Sequence, residues 1–381
     1  MAPTTVSDRT PTDAQESLQS LLREVEVRFN GERPWDPQVH DDRFYRRVLS
    51  GGSLAAGEAY MDGWWDCEAL DELFSRILRA RLDQAVGWSW RQLWNVAKAV
   101  VLNLQSTSRA YEVGEEHYDR GNDLFRHMLD DRMVYSCGYW RQADTLDEAQ
   151  EAKLDLICRK LELQPGMQVL DIGCGWGSFA QYAAETYGVE VVGLTISHQQ
   201  ADWARDRCAD LPVEIRLQDY REVDEPFDRV VSIGMFEHVG HKNHRTYMKT
   251  VRRCLKEDGL SMLHTIGSDE SARITDPWIE KYIFPNGLLP SARQITRAAG
   301  DLFVIEDWHN FGPDYDRTLM AWARNFEAGW SALSDRYGGR FYRMWRYYLY
   351  QCAGAFRARR NQLWQIVLSP KGVDGRYFSV R

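Results

Sequence analysis

The 381-residue chain contains no run approaching the ~20 uninterrupted apolar residues that a membrane-spanning helix needs. Its opening stretch, MAPTTVSDRTPTDAQES, has neither a basic n-region nor an apolar h-region, so the sequence predicts an unprocessed cytoplasmic protein. No Cys-x-x-Cys pair occurs. The seven cysteines, an odd number, lie far apart at Cys67, Cys137, Cys158, Cys174, Cys208, Cys254 and Cys352, which argues against a disulfide framework or zinc ribbon, and no metal is expected. Proline and glycine are ordinary at 12 and 28, and with 44% hydrophobic and 27% charged residues neither a collagenous nor a disordered chain is indicated. Such a length suits two or three domains, or one elaborated domain.

What is abundant is aromatic surface and, locally, positive charge. Fifteen Trp and 18 Tyr suit membrane interfaces or large apolar pockets. The net charge is −9, yet from Arg336 onward ten Lys/Arg face one acid, Asp374. That +9 stretch is either a face that pairs with acids elsewhere in the fold or a docking surface for an anionic partner.

Organisation changes along the chain. From Ser17 to about Tyr60, short apolar stretches broken by NGERPWDP and SGGSLAAG predict small helices joined by turns. Cys67–Leu82 carries Leu70, Leu73, Phe74, Ile77 and Leu78 at helical spacing. Val86–Leu104 continues as an aromatic-rich amphipathic helix whose Trp88, Trp90 and Trp94, with Arg91 and Lys98, either dock on a bilayer or pack on the next domain. Beyond Leu163, short apolar strands alternate with helices, the pattern of βαβ units on a largely parallel sheet. The predicted fold is therefore α/β, a doubly wound Rossmann-like sheet over 111–381, preceded by a smaller, mostly helical domain over 1–110. The irregular segment at about 269–300 is a candidate lid or pocket wall.

The run Val169-Leu170-Asp171-Ile172-Gly173-Cys174-Gly175-Trp176-Gly177 ends a strand and opens a helix. Its glycines let a ligand approach the backbone where the first strand of a doubly wound sheet delivers it. A dinucleotide is disfavoured. The spacing is G-x-G-x-G and not G-x-G-x-x-G, and the second strand, VEVVGLTIS, lacks the terminal acid that a dinucleotide site uses on the ribose. Asp171 before the loop and Asp219 after the third strand fit S-adenosylmethionine, whose cationic methionine end and adenosine need acceptors. The plainer reading is that each carboxylate caps a turn or strand.

Ten runs in order carry a further signal, among them SLAAGEAYMDGWW (53–65), VGEEHYDRGNDLF (113–125), MVYSCGYW (133–140), VLDIGCGWGS (169–178), GMFEHVGHKN (234–243), LHTIGS (263–268), KYIFPNGLLPS (281–291) and QCAGAFRARRNQLWQ (351–365). With them the chain resembles the bacterial cyclopropane-fatty-acyl-phospholipid synthases, relatives of the mycolic acid cyclopropane synthases, from about Phe44 to Ser369. The resemblance implies a class I S-adenosylmethionine-dependent methyltransferase that methylates the cis double bond of an unsaturated phospholipid acyl chain and closes a cyclopropane ring. It implies a bound bicarbonate as general base, held by Cys137, Glu237, His264, Tyr315 and the backbone at Ile266. It also implies cofactor contacts at Tyr135, Ser136, the loop Gly173–Gly177, Thr195, Gln200, Asp219 and Tyr220. The same resemblance implies a homodimer, while the +9 stretch together with Trp88, Trp90 and Trp94 predicts peripheral contact of a lipid-associated protein with the inner face of the cell membrane, and no nucleic-acid partner is expected.

Those residue types suit the task. His264 and Tyr315 can donate hydrogen bonds to an anion, Glu237 can accept its hydroxyl proton, and Cys137 as a thiol adds a weak donor. Cys352 invites a nucleophile reading, but direct methyl transfer needs no covalent enzyme intermediate, which leaves it a pocket residue. Phe236, Trp278 and Tyr282 are candidates to stabilise a carbocation through their ring faces. Two alternatives stay open: a sibling methyltransferase giving a methylene or methyl branch, and a lipid-binding protein without catalysis.

Overall fold

The computed structural model describes residues 13–82, 121–271 and 275–381. The expected helix at 86–104, with Trp88, Trp90 and Trp94, lies outside them. The chain begins with α1 (Asp13–Leu22), a two-stranded antiparallel ribbon of β1 (Gln38–Val39) and β2 (Trp65–Asp66) enclosing α2 (Arg43–Met61), and α3 (Leu70–Arg79). After α4 (Asn122–Met128) and α5 (Leu146–Lys160), the α/β part runs β3 (Gln168–Ile172), α6 (Ser178–Tyr187), β4 (Glu190–Thr195), α7 (His198–Arg207), β5 (Val213–Leu217), β6 (Phe227–Ile233), α8 (His244–Cys254) and β7 (Leu255–Ser268). It closes with α9 (Pro277–Tyr282), α10 (Ala292–Ala299), β8 (Val304–Asn310), α11 (Pro313–Arg357) and β9 (Asn361–Ser369).

The seven strands lie in the order β5-β4-β3-β6-β7-β9-β8, parallel from β5 to β7, with β9 antiparallel to β7 and to β8. Strand order reverses between β3 and β6, so their carboxyl ends open the crevice in which doubly wound sheets bind ligands. In β3 only Gln168 at its start is exposed, and Asp171 is the one ionisable side chain buried with Val169, Leu170 and Ile172. Local chemistry sets the helix starts: Thr145 with Glu148 and Ser291 with Gln294 form reciprocal capping boxes at α5 and α10.

Helix α11 is a helical hairpin. A straight helix of 45 residues would span roughly 67 Å, yet Tyr315 near its start stacks on Phe356 near its end at 4.6 Å between ring centroids. The chain turns at Gly338, whose φ of 71° and ψ of 164° break the helix. Asp316–Arg357 and Glu327–Arg346 ion pairs tie the two limbs. One hydrophobic cluster joins this hairpin to the N-terminal elements, with Leu18, Phe44, Tyr60, Trp65 and Leu73 in the same core as Trp345, Tyr347 and Phe356. α3 and α11 approach closely because residue 354 is glycine; a Cβ there would meet the Asp71 carbonyl oxygen at 2.7 Å.

The basic C-terminal stretch is largely consumed inside the molecule. Seven of its ten cations pair with acids elsewhere: Arg336 with Asp123, Arg340 with Asp62, Arg343 with Asp66, Arg346 with Glu327, Arg357 with Asp71 and Asp316, Arg360 with Asp269, and Arg381 with Asp307. Most of the +9 is therefore a fold-internal balance.

Candidate active site

Two cavities meet at the carboxyl end of the sheet. The first, of about 220 Å³, lies over the β3–α6 loop. Tyr135, Ser136, Asp171, Gly173, Cys174, Gly175, Trp176, Thr195, Gln200, Asp219 and Tyr220 all line it, together with Lys153, His238 and Asn286. Gly177 does not. It precedes α6 with φ 81°, and a Cβ there would come within 3.0 Å of Ala204, so it serves the packing of α6 on α7.

The first two amides of the loop are already used, since Gly173 and Cys174 both donate to the Leu194 carbonyl. What the cavity offers is an acceptor. Asp171 is buried, and neither carboxylate oxygen has a hydrogen-bond partner among the described residues, so it caps nothing. Desolvation pushes its pKa up to about 7, partly offset by the Lys153 charge. Lys153 is itself buried; desolvation brings it down to about 8 against the attraction of Asp130, and its Nζ donates to Ser136 Oγ at 2.9 Å. An unpartnered buried carboxylate beside an open space suits a ligand ammonium group. Asp219 differs: its carboxylate accepts from the Arg221 backbone N–H and pairs with the Arg221 guanidinium at 2.6 Å, the capping role with an added ion pair. Thr195 and Gln200 hold each other through a 3.0 Å hydrogen bond.

Lys153 was invisible in the sequence because it sits on α5 among charged residues that read as a solvated face. His238 was adjacent to a named residue, but nothing in its local pattern marked it.

The second cavity, about 310 Å³, is walled mainly by Leu78, Ile279, Leu288, Leu319, Ala355 and Phe356. Residues 275–289 supply much of one side. Tyr135, Gly234 and His238 line both cavities. Gly234 has φ 68°, and a Cβ there would meet only Ser136, at 3.9 Å, so its missing side chain keeps the junction open.

Glu237, Tyr315 and the Ile266 position face the apolar cavity, as does Cys352. Glu237 sits in a short 3₁₀ turn after β6. One oxygen accepts from the Ile266 backbone N–H at 2.7 Å, while Oε2 is buried without a partner among the described residues. Burial raises its pKa to about 7, opposed by that backbone hydrogen bond. His264 and Cys137 lie behind the wall and line neither cavity. His264 is two residues before Ile266 on β7, hence on the same sheet face. Burial, with the Lys153 and Lys160 charges, holds its imidazole neutral, and its Nε2 has no partner among the described residues. Cys137 is a thiol, its pKa raised by burial, with Sγ 3.1 Å from the Gly138 carbonyl. Burial likewise pushes Tyr315 up, so it keeps its proton. Cys352 is pushed to about 12, a poor nucleophile.

The three aromatic candidates are placed elsewhere. Phe236 stacks on His244 in the core, Trp278 packs against Tyr347, and Tyr282 donates to Glu58; none lines either cavity. Local position after a strand or in a lid segment did not reveal which way each ring turned. The rings that do line the apolar cavity are Tyr135, Phe284, Tyr315, Tyr348 and Phe356.

With this geometry the comparisons are unambiguous. The family model described as mycolic acid cyclopropane synthetase matches residues 105–366. The chain belongs to that family. It is an S-adenosylmethionine-dependent methyltransferase of the class I fold. It is 55% identical over 354 residues to the cyclopropane-fatty-acyl-phospholipid synthase of Escherichia coli K12, covering 93% of this chain and 92% of that protein. The cyclopropane mycolic acid synthase 2 of Mycobacterium leprae is 36% identical over 68% of this chain and 93% of its own length. Among solved structures, the cyclopropane synthase MmaA2 from Mycobacterium tuberculosis superposes with a TM-score of 0.65 at 34% identity, covering 70% of this chain and 99% of that one. The mycolic acid cyclopropane synthase CmaA1 complexed with SAH and CTAB gives 0.64 at 35% identity, covering 68% and 97%. The E. coli synthase thus matches a larger share of this chain than the mycolic acid synthase of M. leprae does, 93% against 68%.

Proposed function

We propose that the chain transfers the methyl group of S-adenosylmethionine to the cis double bond of an unsaturated phospholipid acyl chain and closes a cyclopropane ring, with bicarbonate as general base. The observation that carries this is the meeting of the two cavities at Tyr135, Gly234 and His238, with the Glu237 carboxylate on the apolar side. When bound, S-adenosylmethionine supplies a sulfonium methyl carbon that the alkene π electrons attack as the carbon–sulfur bond breaks, leaving a lipid carbocation and the thioether. Loss of a proton from the new methyl group lets its electron pair close the ring.

Asp171 holds the cofactor's ammonium group. The apolar cavity orients the acyl chain and keeps water from the cation. Facing the apolar cavity, the Tyr315 hydroxyl is a donor and Glu237 Oε2 an acceptor without a partner among the described residues, which suits an anion carrying a hydroxyl group, and this reading takes the buried His264 Nε2, which lines neither cavity, as a further donor. Bicarbonate bound there would supply a base of suitable strength inside an otherwise apolar site. The CmaA1 structure complexed with SAH supports the cofactor assignment, and the E. coli relative's name supports the phospholipid substrate.

Incubation of the protein with S-adenosylmethionine and monounsaturated phospholipid vesicles, followed by NMR of the released fatty acids, is expected to show cyclopropane methylene protons. A methylene branch of the same mass in their place would establish the sibling reaction, and unchanged lipid would refute catalysis on this substrate.

Membrane contact is part of the same proposal, and no helix among the described residues is long and apolar enough to cross a bilayer. With most of the C-terminal charge paired internally, Arg359, Lys371 and Arg376 remain for anionic headgroups, each contributing about 1 kcal/mol near the surface. Flotation with anionic vesicles is therefore expected to weaken only moderately with salt, since charge attraction is screened over about 8 to 10 Å. Absence of flotation at low salt would exclude the contact.

A further inference from the structure

The antiparallel end of the sheet lines up a polar row inside an apolar layer. β7 pairs with β9 so that His264 lies opposite Gln365, and β9 pairs with β8 so that Gln365 lies opposite His309. Directly opposed residues share a face. Gln365 is 0% exposed, and its same-face neighbours along β9 are the equally buried Leu363 and Val367. A glutamine amide in such a place is unfavourable unless its hydrogen bonds are used. Its Nε2 lies 3.2 Å from His264 Nδ1, and its Oε1 is buried without a partner among the described residues.

An amide nitrogen can only donate. With the amide placed nitrogen towards the ring, Nδ1 accepts and a neutral imidazole carries its proton on Nε2, whereas the turned amide would offer Oε1 and hold the proton on Nδ1. Nε2 is the buried ring nitrogen without a partner among the described residues. The far end of the row is anchored too: His309 Nδ1 lies 3.1 Å from Lys160 Nζ, and Lys160 pairs with Asp307 at 3.5 Å. Phe311 presents its ring to His264 at 6.0 Å and restrains the imidazole from the side.

We propose that Gln365 is a positioning residue, which fixes the His264 tautomer that offers Nε2–H, and not a lone pair, to the anion beside Glu237. This rests on the reading of His264 as part of the base site. With the opposite tautomer, an Nε2 lone pair would repel that anion and the site would lose a donor.

The test uses full-length enzyme labelled with ¹⁵N-histidine, the His264 signal being assigned by its loss in His264→Asn. Wild type is expected to show a protonated Nε2 and a bare Nδ1 without any turnover. Gln365→Leu, and Gln365→Met as the more flexible replacement, are expected to show mixed tautomers. Their kcat should fall roughly 10- to 100-fold, the size usual for a partner that orients a functional histidine, with KM for S-adenosylmethionine unchanged. In a His264→Asn background, Gln365→Leu should cost nothing further. A wild-type proton on Nδ1, an unaltered kcat in both variants, or a full additional loss in the His264→Asn background would each overturn the assignment. A wild-type rate indifferent to bicarbonate depletion would instead overturn the base reading, which the tautomer measurement tests separately.

Discussion

Glu237→Gln is expected to lower turnover by roughly 10²–10⁴-fold, the usual contribution of a general-base step, with little change in S-adenosylmethionine affinity. The substitution keeps one carbonyl oxygen able to accept from the Ile266 N–H, so the 3₁₀ turn retains its anchor. What changes is the other atom: Oε2, an acceptor without a partner among the described residues, becomes an amide that donates where the anion's hydroxyl should. Glu237 lines the apolar cavity and not the cofactor cavity, which is why cofactor binding should survive. Adding bicarbonate to degassed wild-type enzyme should raise its rate, and the variant should respond much less. Calorimetry that finds cofactor binding lost in Glu237→Gln would refute the role.

The second large effect is expected at Asp171. Asp171→Asn should weaken S-adenosylmethionine binding roughly 10- to 100-fold, because a charge-assisted hydrogen bond contributes about 1.5–3 kcal/mol and each 1.4 kcal/mol is tenfold. The free enzyme should move the other way. Its carboxyl is raised from 3.8 to about 7 on folding, so between those values the native state binds the proton that the unfolded chain has released. Stability contributed by this group is thus lost as pH rises from about 4 to about 7. Removing the carboxylate should stabilise the ligand-free protein at pH 8 and leave it unchanged at pH 4, as read by thermal unfolding. Cofactor binding to wild type should release protons near neutral pH, because the ammonium group favours ionised Asp171. Titration calorimetry in buffers of different ionisation enthalpy measures that release, and proton uptake or no linkage would exclude Asp171 as the partner.

Much of this was written in local sequence. The βα alternation from Gln168 to Ser268 specified the sheet, since each strand and helix declares itself by its own hydrophobic period. The glycine loop and Asp171 announced a cofactor site because a strand-to-helix turn at the head of a doubly wound sheet can point only into the crevice. That Glu237 and His264 belong together came from the family resemblance; the fold sets Glu237 after β6 and His264 on the adjacent strand β7. Tertiary structure decided what depends on partners distant in sequence. The positive charge from Arg336 onward could be read as an internally paired face or as a docking surface, and only the fold set it against Asp62, Asp66 and Asp123. Phe236 and Trp278 turned into cores away from the cavities, while Phe356, with the same local credentials, turned toward one. Gln365 lies 101 residues from His264, and its amide reaches the imidazole only because β9 runs antiparallel beside β7. Local periodicity states which residues are buried; which buried polar group meets which is set by strand order and register, and these are fixed only when the distant segments pack.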